Sequence, residues 1–188
     1  MPALLITLGI LVVLALIVVG IYNGLVKLRN HTDEAWSGIQ TELKRRYDLI
    51  PNLVETVRGF AKHESGVLTA VTEARSRAAG SHGSPAEQAR DENALIGAMR
   101  QMFAVAENYP DLKANTNFLD LQKQLAATED RLQTARRFYN ANVRDLNMKI
   151  QQFPSNIVAG MFKFTSREFF ELDEETAKAA AQAPKVSF

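Results

Sequence analysis

The sequence predicts an all-α protein in which an N-terminal transmembrane helix continues into an antiparallel four-helix bundle. Two observations predict this fold. Residues 3–21 are almost entirely apolar, and apolar residues then recur at spacings of three and four nearly to Pro154. We expect a transmembrane helix over 3–21, the four-helix bundle over 22–154, an aromatic-rich extension over 155–170 and a mobile tail over 171–188.

The composition is that of a folded protein with one domain and a spanning segment. Apolar residues make up 46 % of the 188 residues and charged residues 23 %, which are values typical of globular chains. The 22 basic and 21 acidic residues nearly cancel, so we expect no nucleic-acid partner, since such binders carry a basic excess. The lack of cysteine excludes disulfides, thiolate catalysis, cysteine-bound metals and a cysteine-linked lipid.

The apolar run at residues 3–21 predicts a retained membrane anchor. As a helix it would be about 28 Å long, close to the roughly 30 Å of a bilayer core. A cleaved signal peptide is the alternative, but the basic n-region is missing and the apolar run exceeds the usual ~7–15 residues. Lys27 and Arg29 follow the run and no charge precedes it, so the positive-inside rule places the N-terminus outside and the body in the cytoplasm.

The apolar stripe after the anchor predicts that the same helix enters the bundle. It continues in phase through Trp36 and Ile39 to Tyr47. Pro51 then interrupts the pattern, because proline cannot donate to the helical hydrogen-bond ladder. We expect a tight turn here, with Asp48 as the N-cap of the next helix. A kink in a continuous helix is the alternative.

Local signals place the ends of the later helices. Ser84-Pro85-Ala86-Glu87 predicts a capping box with proline in the first turn. The last and longest helix is expected to begin near Asn117 and to end at Pro154. The segment 165–168, Thr-Ser-Arg-Glu, is a candidate cap for a short helix within the aromatic extension.

The sequence contains no recognisable reaction centre. No glutamate stands three residues before any of the three histidines, which excludes the carboxylate-bridged di-metal pattern of helical bundles. His63-Glu64 begins like HExxH, but position 67 is valine, and neither a P-loop nor a GxSxG elbow is present. We therefore expect no enzymatic activity and no cofactor, with a hydrolase using His63-Glu64 as a remote alternative.

Three groups of residues are candidates for interaction. The basic cluster at Lys44-Arg45-Arg46, followed by Asp48, suits anionic lipid or a partner's carboxylate, although an internal Glu42–Arg46 ion pair is the more ordinary interpretation. The Tyr-Pro-Asp-Leu-Lys turn offers two further candidates. The aromatic extension either closes the bundle core or docks on a subunit or the bilayer. The candidates outside the basic cluster are Tyr109, Asp111, Phe162, Phe164, Phe169 and Phe170.

Several of these motifs together resemble the LemA family. They are Ala35-Trp36, the segment KRRYDLIPNLV at 44–54, AVAENYPDLKA at 104–114, TEDR at 128–131 and RRFYN at 136–140. The resemblance implies a bacterial membrane protein with an N-terminal anchor, a four-helix bundle, and no established activity or cofactor. Some members resemble lipoproteins, with a cysteine near the anchor that would place the body outside the cytoplasm, and this sequence lacks that cysteine.

The leading hypothesis is a non-enzymatic scaffold of the LemA type in the bacterial inner membrane. Its expected partners are the lipid bilayer and further copies of itself, because subunits confined to one membrane are concentrated there and weak contacts add up. The alternative is an adaptor that binds another membrane protein, such as a membrane protease. Its contacts would be the basic cluster and the tyrosine-containing turn.

Overall fold

The computed structural model describes residues 2–172 and contains helices and no strand within that range. Residues 173–188, most of the predicted tail, lie outside the described residues. Within the described chain the helices are α1 (Pro2–Phe60), α2 (Ser65–Gly80), α3 (Pro85–Ala106), α4 (Pro110–Lys113), α5 (Thr116–Gln151) and α6 (Ser155–Met161).

The first part of α1 is long and apolar enough to cross a membrane. Except for Val18, its large apolar side chains between Leu4 and Val19 are 49–70 % exposed, and none of them is buried. Soluble monomers rarely expose a continuous apolar surface of this size. The same helix buries its apolar stripe from Leu25 onward.

The helix α1 continues through Pro51, so the predicted turn at Pro51 is wrong and Asp48 caps no helix. The chain leaves the helix only at residues 61–64, and α2 begins at Ser65. On both sides of the proline the same stripe stays buried, with Ile50 before it and Leu53, Val54 and Val57 after it. Burial of these side chains favours the continuous helix, at roughly 1.5–3 kcal/mol each.

The ends of the other helices agree in part with their sequence signals. The capping box is confirmed, because the Ser84 side chain accepts from the Glu87 amide and the Glu87 carboxylate accepts from the Ser84 amide. The cap of α5 is Asn115, whose Oδ1 accepts from the Phe118 amide at 3.0 Å, and the predicted cap Asn117 lies inside the helix. The short helix is α6, and residues 165–168 are not helical.

The chain divides into two compact units. The first unit comprises residues 1–36 and 138–167. Its core contains Leu25 from α1 with Val158 and Ala159 from α6. In the same unit the rings of Trp36 and Tyr139 lie 5.2 Å apart.

Within the described residues, the second unit comprises 37–137 and 168–172. Helices α1 to α5 all contribute fully buried side chains to it, and α2 packs directly against α3. The largest buried apolar residues include Leu53 of α1, Leu68 of α2, Leu95 and Met102 of α3, and Leu132 of α5. This unit contains the polar cluster described next.

Candidate functional site

A charged residue occupies the core face of α1 within the second unit. Ile39, Leu43, Arg46 and Ile50 follow each other at helical spacing and all are buried, so Arg46 stands where an apolar side chain is expected. A wholly buried guanidinium is unstable unless carboxylates pair with it. The fold supplies two such carboxylates.

Arg46 forms ion pairs with glutamates from two other helices. Its Nη1 donates to Oε1 of Glu129 on α5 at 2.8 Å, and its Nη2 donates to Oε2 of Glu92 on α3. The side chains of Arg46 and Glu92 are completely buried and that of Glu129 is 10 % exposed. The three helices are therefore joined by charge-assisted hydrogen bonds in a region of low dielectric.

Tyr47 connects this charged group to α2. Its hydroxyl donates to Oε1 of Glu92, and it accepts from Nε2 of Gln88 at 3.0 Å. The same Gln88 nitrogen lies 3.0 Å from the main-chain oxygen of Ala78 on α2. We call Arg46, Tyr47, Gln88, Glu92 and Glu129 the buried polar cluster.

The environment shifts the pKa of both α1 members of the cluster. Burial alone would lower the pKa of Arg46, but the carboxylates of Glu92 and Glu129 outweigh it and hold that pKa above its ordinary value. Burial, followed by the adjacent Glu92 carboxylate, raises the pKa of Tyr47 well above 10.0. Arg46 is thus a permanent cation and Tyr47 a permanent hydrogen-bond donor at neutral pH.

A second interaction lies beside the cluster, at Pro51. Proline has no N–H, so the carbonyl four residues earlier, that of Tyr47, lacks its helical donor. Nε of Arg75, on α2, donates to this carbonyl at 3.0 Å. The hydrogen bond lost to proline is thereby replaced by one between helices.

The cluster is suited to holding helices together rather than to chemistry. A general acid, base or nucleophile must reach a substrate, and every member of the cluster is at most 8 % exposed as a residue. Each carboxylate already accepts from a cation or hydroxyl. Among residues 2–172 no group of three or more histidine, aspartate or glutamate side chains is placed to hold a metal ion.

The residues of the basic cluster predicted from sequence lie on different faces of α1. Arg46 is buried and does not offer a surface contact, whereas Arg45 and Asp48 are exposed. The expected Glu42–Arg46 pair is not formed, because Arg46 points into the core. Glu42 instead accepts from Arg45 at 3.2 Å and from Arg131 of α5 at 3.0 Å.

The residues of the YPDLK turn have different surroundings. Tyr109 is half-buried, with its hydroxyl 3.5 Å from Oε1 of Glu64, while Asp111 is exposed in the first turn of α4. His63 is exposed in the connection between α1 and α2. Glu64 thus faces a tyrosine from a distant part of the chain.

The aromatic candidates fall into both units. In the first unit, Phe162 and Phe164 lie against Tyr22, with ring centroids 4.7 and 5.9 Å away. In the second, Phe170 is completely buried and Phe169 is exposed. Phe170 therefore acts as a core residue, whereas Phe162 keeps about half of its surface exposed.

Sequence reasoning missed Gln88, Glu92 and Arg75. A signal for the first two exists, because Gln88 and Glu92 lie in register with the buried Leu95, Ile96 and Met99 of α3. A glutamate in phase with an apolar stripe predicts a buried charge that needs a cation. No comparable pattern marks Arg75.

Comparison with known proteins gives consistent results. The model of the LemA family matches residues 35–188. Protein LemA of Metamycoplasma hominis is 29 % identical, over 83 % of this chain and 71 % of that protein. Magnetosome protein MamQ 2 of Paramagnetospirillum magneticum is 26 % identical, over 80 % of this chain. The alignment covers 64 % of MamQ 2, so this chain spans less than two thirds of that relative.

The matched range takes in the buried polar cluster, Pro51 and the YPDLK turn. It covers most of the chain. The chain belongs to the LemA family.

Proposed function

We propose that the protein is a membrane-anchored, non-enzymatic scaffold that self-associates at the bacterial inner membrane through a single span. One observation carries the proposal. A single uninterrupted helix, α1, exposes an apolar surface long enough to cross a bilayer and then buries its stripe within folded units. The bilayer is the medium that removes such a surface from water.

The scaffold reading follows from the second unit. The buried polar cluster joins α1, α3 and α5 and is hydrogen-bonded to a main-chain carbonyl of α2, which favours a four-helix bundle with antiparallel neighbours. Both carboxylates, the Tyr47 hydroxyl and the Gln88 amide nitrogen are hydrogen-bonded within it. This supports a structural role, and the names of the matched relatives indicate no catalytic activity.

Membrane extraction tests the anchor. Replacing Leu8, Leu11 and Leu14 together by arginine places three charges in the apolar part of α1, and each costs about 2.5–3.5 kcal/mol in a spanning helix. We expect native protein to stay in carbonate-washed membranes and the variant to leave them. Lys27→Arg, which keeps the flanking charge, is the control. Native protein in the soluble fraction would contradict the anchor.

Mass photometry in lipid discs tests self-association. Confinement to one membrane raises the effective concentration of subunits, so weak contacts suffice. We expect discs with more than one copy at a protein-to-disc ratio near one. Strictly single copies at every ratio would contradict self-association and leave the anchor untouched.

Labelling of a single cysteine in intact cells tests the orientation. The native chain has no cysteine, so His82→Cys, in the exposed connection before α3, gives one reactive thiol. The two charges after the span, Lys27 and Arg29, support a cytoplasmic body. We expect an impermeant maleimide to label the thiol only after lysis. Labelling of intact cells would reverse the orientation.

The contact surface available to an adaptor is smaller than the one predicted from the sequence. Arg46 is buried and is lost to such a surface, whereas Lys44, Arg45 and Asp48 of the basic cluster remain exposed, as do Asp111 and Lys113 of the turn. We therefore place the scaffold first.

A further inference from the structure

The helix α6 is packed where the apolar part of α1 ends. Within the first unit, Val158 and Ala159 of α6 form a buried core with Leu25 of α1. Val18 and Ile21, near the end of the predicted span, pack against the same core. The short helix therefore lies at the level where α1 would leave the hydrocarbon.

The opposite side of this segment exposes apolar residues. Ile157 and Met161 are four residues apart and share one face of α6. With the flanking Phe153 and Phe162 they are 49–76 % exposed. These four large apolar side chains lie within ten residues, and of them Phe162 also contacts Tyr22 of α1. They form an exposed apolar patch in the unit that contains the exposed span.

The charges closest to the patch along the chain are basic, and the acidic residues of the same unit, such as Asp33, which pairs with Arg167, lie outside these segments. Residues 146–166 contain Lys149 and Lys163 and no acidic residue, and residues 2–32 contain Lys27 and Arg29 and no acidic residue. The guanidinium of Arg29 lies 5.3 Å from the ring centre of Phe164, which brings a cation of α1 to the end of α6. An apolar face rimmed by cations suits the boundary between acyl chains and anionic headgroups.

The segment is fixed in place rather than left loose. Lys163 adopts a left-handed conformation, with φ of 56°, and the amides of Lys163 and Phe164 donate to the carbonyls of Gly160 and Ala159. Asn147 of α5 then pairs with both main-chain groups of Arg167, each at 2.9 Å. Its exposed face is thus presented in one orientation.

We infer that α6, with Phe153 and Phe162, is a second membrane-contact element that inserts Ile157 and Met161 into the headgroup region of an anionic bilayer. The inference rests on the proposed membrane span. It adds that the first unit lies on the membrane surface and that the protein prefers anionic lipid.

Nitroxide labels on single cysteines test the position of α6. The full-length protein is reconstituted into phosphatidylcholine vesicles containing phosphatidylglycerol, with one label at Ile157→Cys, Leu11→Cys or Phe138→Cys. Phe138 is the matched control, because it is an exposed apolar residue of the same unit on α5. Collision with oxygen reports lipid, and collision with a water-soluble nickel chelate reports water.

We expect the oxygen-to-nickel collision ratio at Ile157 to lie between the ratios at Leu11 and Phe138 and to exceed that at Phe138 several-fold. An Ile157 ratio equal to that at Phe138, with Leu11 in lipid, would overturn the inference and leave the span intact. An Ile157 label shielded from both reagents would indicate a protein neighbour and would also overturn it. Leu11 exposed to nickel would overturn the proposed function itself.

Removing the rim charges tests the headgroup contact. Lys149→Gln and Lys163→Asn remove two cations, and asparagine tolerates the left-handed conformation at 163. We expect the Ile157 collision ratio of the native sequence to rise with phosphatidylglycerol and that of the double variant to stay at the pure phosphatidylcholine value. Lys123→Gln, in the second unit, is the control. An equal response of both proteins to phosphatidylglycerol would exclude the proposed cation contact.

Discussion

The side chain of Arg75 donates from Nε to the main-chain oxygen of Tyr47 at 3.0 Å, which is the carbonyl that Pro51 leaves without a helical donor. The contact explains how α1 passes a proline without ending. It also predicts an energetic coupling between the amide missing at Pro51 of α1 and the Arg75 side chain of α2.

A double-mutant cycle measures this link. Arg75→Met keeps the apolar stem and removes the donor, and we expect it to lower the free energy of unfolding by about 1–2 kcal/mol. In a Pro51→Ala background the restored amide donates to Tyr47, so the same substitution should cost about 1 kcal/mol less. Denaturant unfolding in mild detergent, followed by circular dichroism, gives the four values. Arg77→Met, exposed on the same helix, is the control, and purely additive losses would refute the link.

The burial of Arg46 predicts a large difference between neighbouring arginines. Arg46→Met leaves Glu92 and Glu129 buried without their cation, and we expect a loss of about 3–5 kcal/mol in the free energy of unfolding. Arg45→Met removes an exposed pair with Glu42 and should change it by no more than about 1 kcal/mol. The same unfolding assay compares them. Similar losses for the two variants would show that the buried pairs do not form.

The raised pKa of Tyr47 predicts a loss of stability in alkali. Burial and Glu92 stabilise the protonated hydroxyl, so its contribution is complete below the unfolded value of 10.0 and declines as pH rises above it. The slope is at most about 1.4 kcal/mol per pH unit for one proton. Tyr47→Phe lacks this group and should show a shallower decline between pH 10 and 11. Parallel stability curves for the two proteins would argue against a buried, Glu92-bound hydroxyl.

The N-terminus of α5 gives a prediction with a built-in control. Asn115→Ala removes the side-chain acceptor of the Phe118 amide and should destabilise the second unit by about 1 kcal/mol. Asn117→Ala, two residues further on, replaces an exposed helical asparagine and should be neutral or slightly stabilising. Hydrogen exchange of the first turn of α5 measures both. Faster exchange in the Asn117 variant than in the Asn115 variant would move the cap back to the position that the sequence favours.

The sequence predicted features that depend on neighbouring residues alone. The apolar start of α1, the Ser84 capping box and the extent of α5 follow from periodicity and local hydrogen bonds, and the structure contains them. The turn at Pro51 was wrong because the deciding group, Arg75, lies 24 positions along the chain and its side-chain donor replaces the missing amide. Local rules for proline do not include a donor from another helix.

The buried polar cluster was predictable only in part. Arg46 and Glu92 each sit in register with buried apolar residues, which marks them as core positions. Which carboxylate meets which cation depends on how the helices pack, and the short-range rule wrongly chose Glu42 over Glu92 and Glu129. The membrane-facing role of α6 required the structure, since its two faces are distinguished only by contact with α1.

The continuity of α1 also restricts how its length can vary. Val18, Ile21, Tyr22 and Leu25 meet the α6 core on one face. One residue inserted between Tyr22 and Leu25 would rotate the preceding segment by about 100°, turning Val18 and Ile21 away from Val158 and Ala159. Insertions of three or four residues bring Val18 and Ile21 nearly back to the face that meets α6, but shift them along the helix axis by about one turn. The register between the proposed span and the α6 core is therefore fixed. We expect the segment between Tyr22 and Leu25 to tolerate only changes of length close to whole helical turns.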